Sequence, residues 1–410
     1  MPVAINTDLV ERYLRELAQY GACHETGVCR PVYSPEWLAA QKQYARWCED
    51  AGLQVRWDAV GNIWGRLEGT EGDDCVVTGS HIDSQLPGGR FDGALGVIGG
   101  LIALRTLREH YGTPRRTLEC VSFCEEEGSR FPATNFWGSR AVTGRIRPEE
   151  PETVRSYQGE TIADAMRVVG LDPARIPEAA RDDISTFIEL HIEQGPVLEQ
   201  AGKAAAIVTG ITGLRQYVVE LRGRSDHAGA APMDWRRDPM AGAAEIITGV
   251  IQTAETLGRP AVTTVGRIAV EPGGAAIVPE KVTFTVDARH PDPVALADLY
   301  RRHEALFAEV AARRQLELAV RVNIDHPPCP ADPEIVRILR EAAREQGIDA
   351  STMHSGAGHD SQVMGQSVRM AMIFVQSKDG RSHTPAEFTS IEHAVAGIEI
   401  LTAGLHKLAY

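Results

Sequence analysis

The sequence lacks a cysteine framework. Its seven cysteines stand at Cys23, Cys29, Cys48, Cys75, Cys120, Cys124 and Cys329, and none forms a CxxC pair. This excludes a disulfide scaffold and a structural zinc site of closely spaced thiols, and it reads as free thiols in a reducing compartment. An excess of positive charge is also missing: 42 Lys and Arg face 56 Asp and Glu, a net charge of −14. A nucleic-acid or anionic-membrane partner would call for clustered cations, so neither is expected. No apolar run is long enough to span a bilayer, and the richest, "ALGVIGGLIAL", falls well short. The start "MPVAINTDLVERYLREL" lacks the charged-then-apolar order of a secretion signal; Leu9, Val10, Tyr13, Leu14 and Leu17 mark an amphipathic helix instead. A cytoplasmic location is the expectation. Internal repeats and low-complexity segments are missing too.

What is present is an ordinary globular composition. Hydrophobic residues make up 43% and charged residues 24% of 410 residues, which points to two or three domains with large cores. In the first half strand and helix signals alternate. "NIWGRLEG", "CVVTGSHID" and "TLECVSF" read as strands and "ALGVIGGLIALRTLREH" as a buried helix, so an α/β fold with a mostly parallel central sheet is expected. Sites in such sheets form at the carboxyl ends of the strands, where "SHID" and "EEEG" fall. The middle reads differently. "RQYVVELRG", a helix capped by Asp238 with Pro239 at its first position, "AVTTVGRIAV", "KVTFTVDARH", a second helix and "LELAVRVNI" give the order β-α-β-β-α-β of a ferredoxin-like unit. The expectation is an inserted α+β domain over residues 212–327, with residues 1–211 and 328–410 forming the main domain.

The chemistry-bearing residues cluster at strand-to-loop junctions. His81 and Asp83 lie in "GSHIDS", Asp92 in "GGRFDGALG", His191 in "IELHIEQGP" and His383 in "GRSHTPAE". Three glutamates, Glu125, Glu126 and Glu127, close "LECVSFCEEEG". Imidazole and carboxylate on separate loops are the donor set of a catalytic divalent-metal site. Singly each residue has an ordinary reading, a surface pair or a turn; together, at matching strand ends, they make a site. On "KVTFTVDARH", Arg289 shares a polar face with Asp287, either to grip a carboxylate or to form a surface pair.

Over nearly its whole length the chain resembles the dinuclear-metal amidohydrolases that include N-carbamoyl-L-amino-acid hydrolases, allantoate amidohydrolases and β-ureidopropionases, relatives of the aminoacylase and carboxypeptidase G group. The resemblance rests on "GVCRPVYSPEW", "DAVGNIWGRLEG", "GSHIDSQLPGGRFDGALGV", "FCEEEGSRFP", "HIEQGPVLE", "HAGAAPMDWRRD", "VDARH", "SGAGHDSQ" and "SHTPAEF" in this order. It implies a zinc-peptidase-like catalytic domain with an inserted dimerisation (lid) domain, and hence a homodimer. It implies two divalent ions of zinc, manganese, cobalt or nickel. His81 and His191 would bind one, Glu127 and His383 the other, and Asp92 would bridge them. Glu126 would be the general base, and Glu125 an extra residue without an assigned role. Asp83 would accept a hydrogen bond from His81 and fix its tautomer. His227 would stabilise the oxyanion from the second subunit, while Arg289, Gln194, Gly358 and His359 would contact a small ureido or amide substrate bearing a carboxylate. The implied reaction releases an amino acid, ammonia and carbon dioxide from an N-carbamoyl-L-amino acid. Allantoate, β-ureidopropionate, or an N-acyl amino acid or dipeptide are the alternatives. Two departures stand out. Ala276 and Glu280 occupy the Asn and Gly positions of the family's "N-V-V-P-G", and Gln376 stands where the family often has Pro.

Overall fold

The structure, a computed structural model, describes residues 4–72 and 74–410. It divides into two units: one runs up to Gly210 and resumes at Pro330, and the other is Ile211–Cys329. Among the described residues no helix is long and apolar enough to cross a membrane.

The larger unit is built on a nine-stranded sheet. Its four central strands, Arg369–Val375, Ile184–Ile192, Cys75–His81 and Thr117–Phe123, lie side by side and run parallel. Cys75–His81 and Thr117–Phe123 are buried along their whole length, as their near-continuous apolar runs require of strands covered on both faces. The flanking strands are antiparallel: Ile63–Leu67 pairs with Thr117–Phe123, and Ala205–Ile211 with Arg369–Val375. Helix Ala94–Tyr111 starts from Gly93, whose φ of 62° is open to glycine; a Cβ there would sit 2.5 Å from the His81 ring. This helix and Ile391–Ala409, capped by the Ser390 hydroxyl, cover the sheet.

The smaller unit is ferredoxin-like. Its strands stand in the order Val262–Thr264, Lys281–His290, Gly213–Arg222, Glu317–His326, every pair antiparallel. The first strand in sequence therefore lies between the third and the fourth. Helices Pro239–Leu257 and Pro293–Arg313 begin at Asp238 and Asp292, whose carboxylates accept two backbone N–H groups each, with proline in the first turn. Strict alternation on Lys281–His290 buries Val282, Phe284, Val286 and Ala288 against Tyr217, Ile246, Leu299 and Phe307.

Candidate active site

Each central parallel strand delivers a polar group at its carboxyl end. His81 ends one strand, and the three glutamates follow the next after Cys124. His191 is the penultimate residue of the third, and His383 lies in the loop after the fourth. The chain crossing from one strand end to the next brings these groups together, though up to about 300 residues separate them in sequence.

Asp92 is the shared member. Its Oδ1 lies 3.6 Å from His81 Nε2 and 3.1 Å from His191 Nε2. Its Oδ2 lies 3.4 Å from His383 Nε2, which is also 3.4 Å from Glu127 Oε2. The ligand atoms of His81, Asp92 and His191 fall within 4.8 Å of one another, and so do those of Asp92, Glu127 and His383. The two oxygens of one carboxylate thus face two separate donor sets.

These residues fit a pair of cations. His81 Nδ1 is 3.1 Å from the Asp83 carbonyl, and His191 Nδ1 is 2.9 Å from the Ile192 carbonyl. A carbonyl can only accept, so each Nδ1 carries the proton and each Nε2 offers a lone pair. Both lone pairs are turned towards the Asp92 carboxylate. His191 Nε2 also receives the Gly93 N–H at 3.2 Å. Nitrogen lone pairs and carboxylate oxygens facing one another repel unless a cation lies among them, and imidazole with carboxylate is a set that divalent transition metals take. With no cation among them only protons can balance these charges, and the pKa shifts follow from that. Burial alone would lower the His81 pKa, but Glu126, Asp83 and Asp92 outweigh it and hold it well above the usual value. Burial, then the Asp92 charge, pushes Glu127 up to about 7. Burial acts to raise Asp92, and the three histidines overcome it and hold it well below the carboxylate range.

Glu126 lies beside both sets. Its Oε2 is 3.8 Å from His81 Nε2, and the residue is 8% exposed. Burial, reinforced by Glu127, Asp360 and Asp83 and opposed by His81, holds its carboxyl well above the usual range.

Asp83 does meet His81, through its main chain rather than its carboxylate. His81 Nδ1 meets the Asp83 main-chain carbonyl, and the carboxylate Oδ1 is farther off at 3.6 Å. The carboxylate instead accepts the N–H groups of Glu126 (3.2 Å) and Glu127 (3.1 Å), so it shapes the glutamate turn while its main chain sets the tautomer. Glu125, to which the sequence assigned no role, has a structural one. It is wholly buried, with φ of 48°, and its Oε1 accepts the Phe131 N–H (3.2 Å) and the Thr134 hydroxyl (2.9 Å). Burial first, then Asp83, raises its pKa well above the usual value. It is a buried group that pins the loop after the turn.

Gln194, in a left-handed conformation, donates Nε2 to Asp92 Oδ2 at 2.8 Å. His359 is buried edge-on to the His191 ring, with centroids 4.6 Å apart, and its Nε2 lies 2.9 Å from the Ser355 hydroxyl. A Cβ on Gly358 would approach the Phe136 ring to 2.9 Å. In the other unit, Arg289 Nε forms an ion pair with Asp287 at 2.7 Å. There, exposed His227 accepts the N–H groups of Gly229 (3.0 Å) and Ala230 (3.2 Å) on Nδ1, which leaves Nε2–H as a donor in the neutral ring.

Sequence reasoning missed the residues that hold this arrangement. Glu387, 2% exposed, accepts the N–H groups of Phe91 (2.8 Å) and Asp92 (3.0 Å) and the Ser382 hydroxyl (2.9 Å). Ser382 lies 2.7 Å from Asp92 Oδ2 as well. Gln85 donates to Glu127 Oε2 at 2.8 Å. Glu189 also lies near His191 and His359, but its oxygens accept Ser80 Oγ (2.7 Å), Ser361 N (3.0 Å) and Ser361 Oγ (2.7 Å), which makes it an anchor between segments. A carboxylate four residues past His383 in the same quoted motif was the available signal for Glu387; nothing local marked Gln85 or Glu189.

Known proteins place this geometry. Residues 77–407 match the profile of peptidase family M20/M25/M40. An allantoate amidohydrolase of Bacillus subtilis is 41% identical over 399 residues, 97% of each chain. An N-carbamoyl-L-amino acid amidohydrolase of Geobacillus stearothermophilus is 39% identical over 399 residues, again 97% of each. The crystal structure of an amidase of the hydantoinase/carbamoylase family from Burkholderia multivorans superposes with a TM-score of 0.92 at 34% identity, covering 99% of this chain and 98% of that one. The chain belongs to peptidase family M20/M25/M40 and is a hydrolase of C–N bonds in linear amides.

Proposed function

We propose that this hydrolase is metal-dependent and cleaves the carbamoyl C–N bond of an N-carbamoyl-L-amino acid, giving the amino acid, ammonia and carbon dioxide. One observation carries the reading: Asp92 turns one oxygen to His81 and His191 and the other to His383, with Glu127 completing the second set and Glu126 alongside. In this reading His81, Asp92 and His191 hold one divalent ion and Asp92, Glu127 and His383 the other. The ions, when bound, acidify the attacking water and polarise the scissile carbonyl, which a weakly electrophilic ureido carbon requires. Glu126 takes the proton of that water and returns it to the leaving nitrogen. His227 donates Nε2–H to the developing oxyanion. Arg289 exchanges or shares Asp287 to grip the substrate carboxylate with two parallel hydrogen bonds. Gln194 Oε1, which has no hydrogen-bond partner among the described residues, accepts from the ureido nitrogen. Gly358 and His359 line the substrate. The assembly is a homodimer in which His227 comes from the second copy, a point that sedimentation velocity tests directly.

Allantoate is the second reading. The allantoate amidohydrolases of Bacillus subtilis and Escherichia coli are 41% and 39% identical to this chain. Allantoate offers the same ureido carbon and a carboxylate.

The experiment strips the protein of metal and reloads it with zinc, manganese, cobalt or nickel. Ammonia and amine product are then measured with N-carbamoyl-L-amino acids, allantoate, β-ureidopropionate and N-acyl amino acids. Metal-dependent ammonia in equal amount with the free amino acid supports the proposal. Turnover of allantoate alone moves the assignment to the second reading. Amine without ammonia from acyl substrates, or no turnover with any metal, refutes it.

A further inference from the structure

Of the seven free cysteines, five are buried; Cys23 and Cys29 are partly exposed. Their Sγ atoms lie 2.7 Å apart. The pair sits on a small hairpin, Ala22–Cys23 and Gly27–Val28, in which Ala22 faces Val28 and Cys23 faces Gly27. The Cys29 N–H continues the ladder to the Gly21 carbonyl at 2.7 Å. Cys23 and Cys29 are thus diagonal neighbours across the two strands, and their side chains leave from one face.

The hairpin also touches two loops that carry candidate ligands, those of Asp92 and His383. At its tip the Thr26 hydroxyl donates to the carbonyl of Pro385, two residues past His383. A Cβ on Gly27 would lie 2.9 Å from Pro385 Cγ, so the bare backbone rests on that ring. On the other side Val28 and Gly88 exchange backbone hydrogen bonds of 3.1 and 2.8 Å. Gly88 stands between Gln85, which holds Glu127, and Asp92.

We propose that Cys23 and Cys29 form an oxidisable dithiol, a modification site whose reactant is a small-molecule disulfide of the glutathione type, and that closing it stiffens the hairpin that holds the His383 loop. The thiolate of Cys29 attacks one sulfur of the small disulfide and expels one small thiolate, leaving a mixed disulfide. Cys23, already at van der Waals contact or closer, then attacks the Cys29 sulfur and expels the second small thiolate. Two protein thiols are oxidised, one small disulfide is reduced to two thiols, and the two thiol protons pass to the leaving thiolates. Burial first, then the neighbouring Cys29 sulfur, pushes the Cys23 thiol up to about 11, which makes Cys23 the member that keeps its proton until the second step. Such pairs in reducing compartments are characteristically transient and regulatory. The cross-link removes freedom from a short hairpin ladder.

The test equilibrates the full-length protein in reduced and oxidised glutathione, quenches with acid and counts thiols after unfolding. The count should fall from seven to five. Neither Lys nor Arg lies between the two cysteines, so a protease that cuts after Glu25 is used to separate them. Oxidised protein should yield two peptides joined through Cys23 and Cys29, and a reductant should part them. Hydrogen exchange across residues 381–389 should slow on oxidation, and neither change should occur in Cys29→Ser or Cys23→Ser. Seven thiols throughout, or glutathione retained on one cysteine without a Cys23–Cys29 link, overturns the site. A link formed with unaltered exchange at 381–389 overturns the coupling to the His383 loop.

Discussion

Replacing Glu125 by glutamine and by alanine should have opposite outcomes. The carboxyl is buried, which favours its neutral form, and its Oε1 accepts from Phe131 N–H and Thr134 Oγ1. Glutamine keeps a carbonyl oxygen at that position and a similar volume. Both hydrogen bonds survive, so the cost should stay below about 1 kcal/mol. Alanine removes the acceptor. The Thr134 hydroxyl can still reach the Phe131 carbonyl at 2.6 Å, so it keeps a partner. The Phe131 N–H does not, and one orphaned buried donor costs about 1–3 kcal/mol. The emptied space of a methylene and a carboxyl adds roughly 1 kcal/mol more, for a total of about 2–4 kcal/mol. The loss falls on the loop that follows Glu126 and Glu127, so Glu125→Ala should also lower metal content, while Glu125→Gln keeps both metal and ammonia release. Urea unfolding of the two variants, metal analysis and the ammonia assay read these effects. If Glu125→Gln is as unstable as Glu125→Ala, the ionised form is the one that matters and the neutral-carboxyl argument fails. Wild-type stability in Glu125→Ala would refute the hydrogen-bond argument.

Glu126→Gln should lower kcat by about 10²–10⁴-fold with metal content and KM little changed, since it removes a proton acceptor and no ligand; full activity in a metal-replete variant would remove Glu126 as the base. Glu387→Ala should weaken metal binding by about 10–100-fold, measured by titrating stripped protein, because the Phe91 and Asp92 N–H groups and Ser382 lose their common acceptor. Glu387→Gln, which keeps an acceptor oxygen, should restore much of it, and equal losses in the two variants would count against a positioning role. His303, buried in the ferredoxin-like unit, has its pKa lowered from 6.5 to about 4 by burial, with the Glu304 charge acting the other way. The unfolded chain therefore binds the proton first. Stability from the neutral ring is complete above pH 6.5 and drains away as pH falls towards 4, about 3 kcal/mol in all. Denaturant unfolding from pH 7 to pH 4 should show this slope for the wild type and a flatter one for His303→Leu; identical slopes would contradict it.

Local sequence carried a large part of the architecture. Apolar runs bounded by polar ends marked the strands Cys75–His81 and Thr117–Phe123, and period-two alternation in "KVTFTVDARH" marked Lys281–His290 with its buried face. Asp238 announced its helix because capping is chemistry within a few residues, and the structure shows Asp292 capping the second helix in the same way. Ligand-type residues were also legible, since imidazole and carboxylate at strand ends are few and distinctive. Two details lay beyond the reach of local sequence for a common reason. Which atom of Asp83 meets His81, and whether Glu125 faces solvent or a pocket lined by Thr134, depends on how the turn closes at a left-handed Glu125.

Composition, periodicity and motif order by themselves determined a two-part α/β chain with a His and carboxylate site, because those signals arise from neighbours along the chain. Only the tertiary structure decided that the two oxygens of Asp92 face separate donor sets, that Glu387 and Gln85 hold Asp92 and Glu127 from a distance, and that Cys23 meets Cys29 beside the Pro385 ring. Asp92 and Glu387 stand 295 residues apart and Thr26 and Pro385 stand 359 apart, and contacts at such separations exist only once the parallel strands align their carboxyl ends.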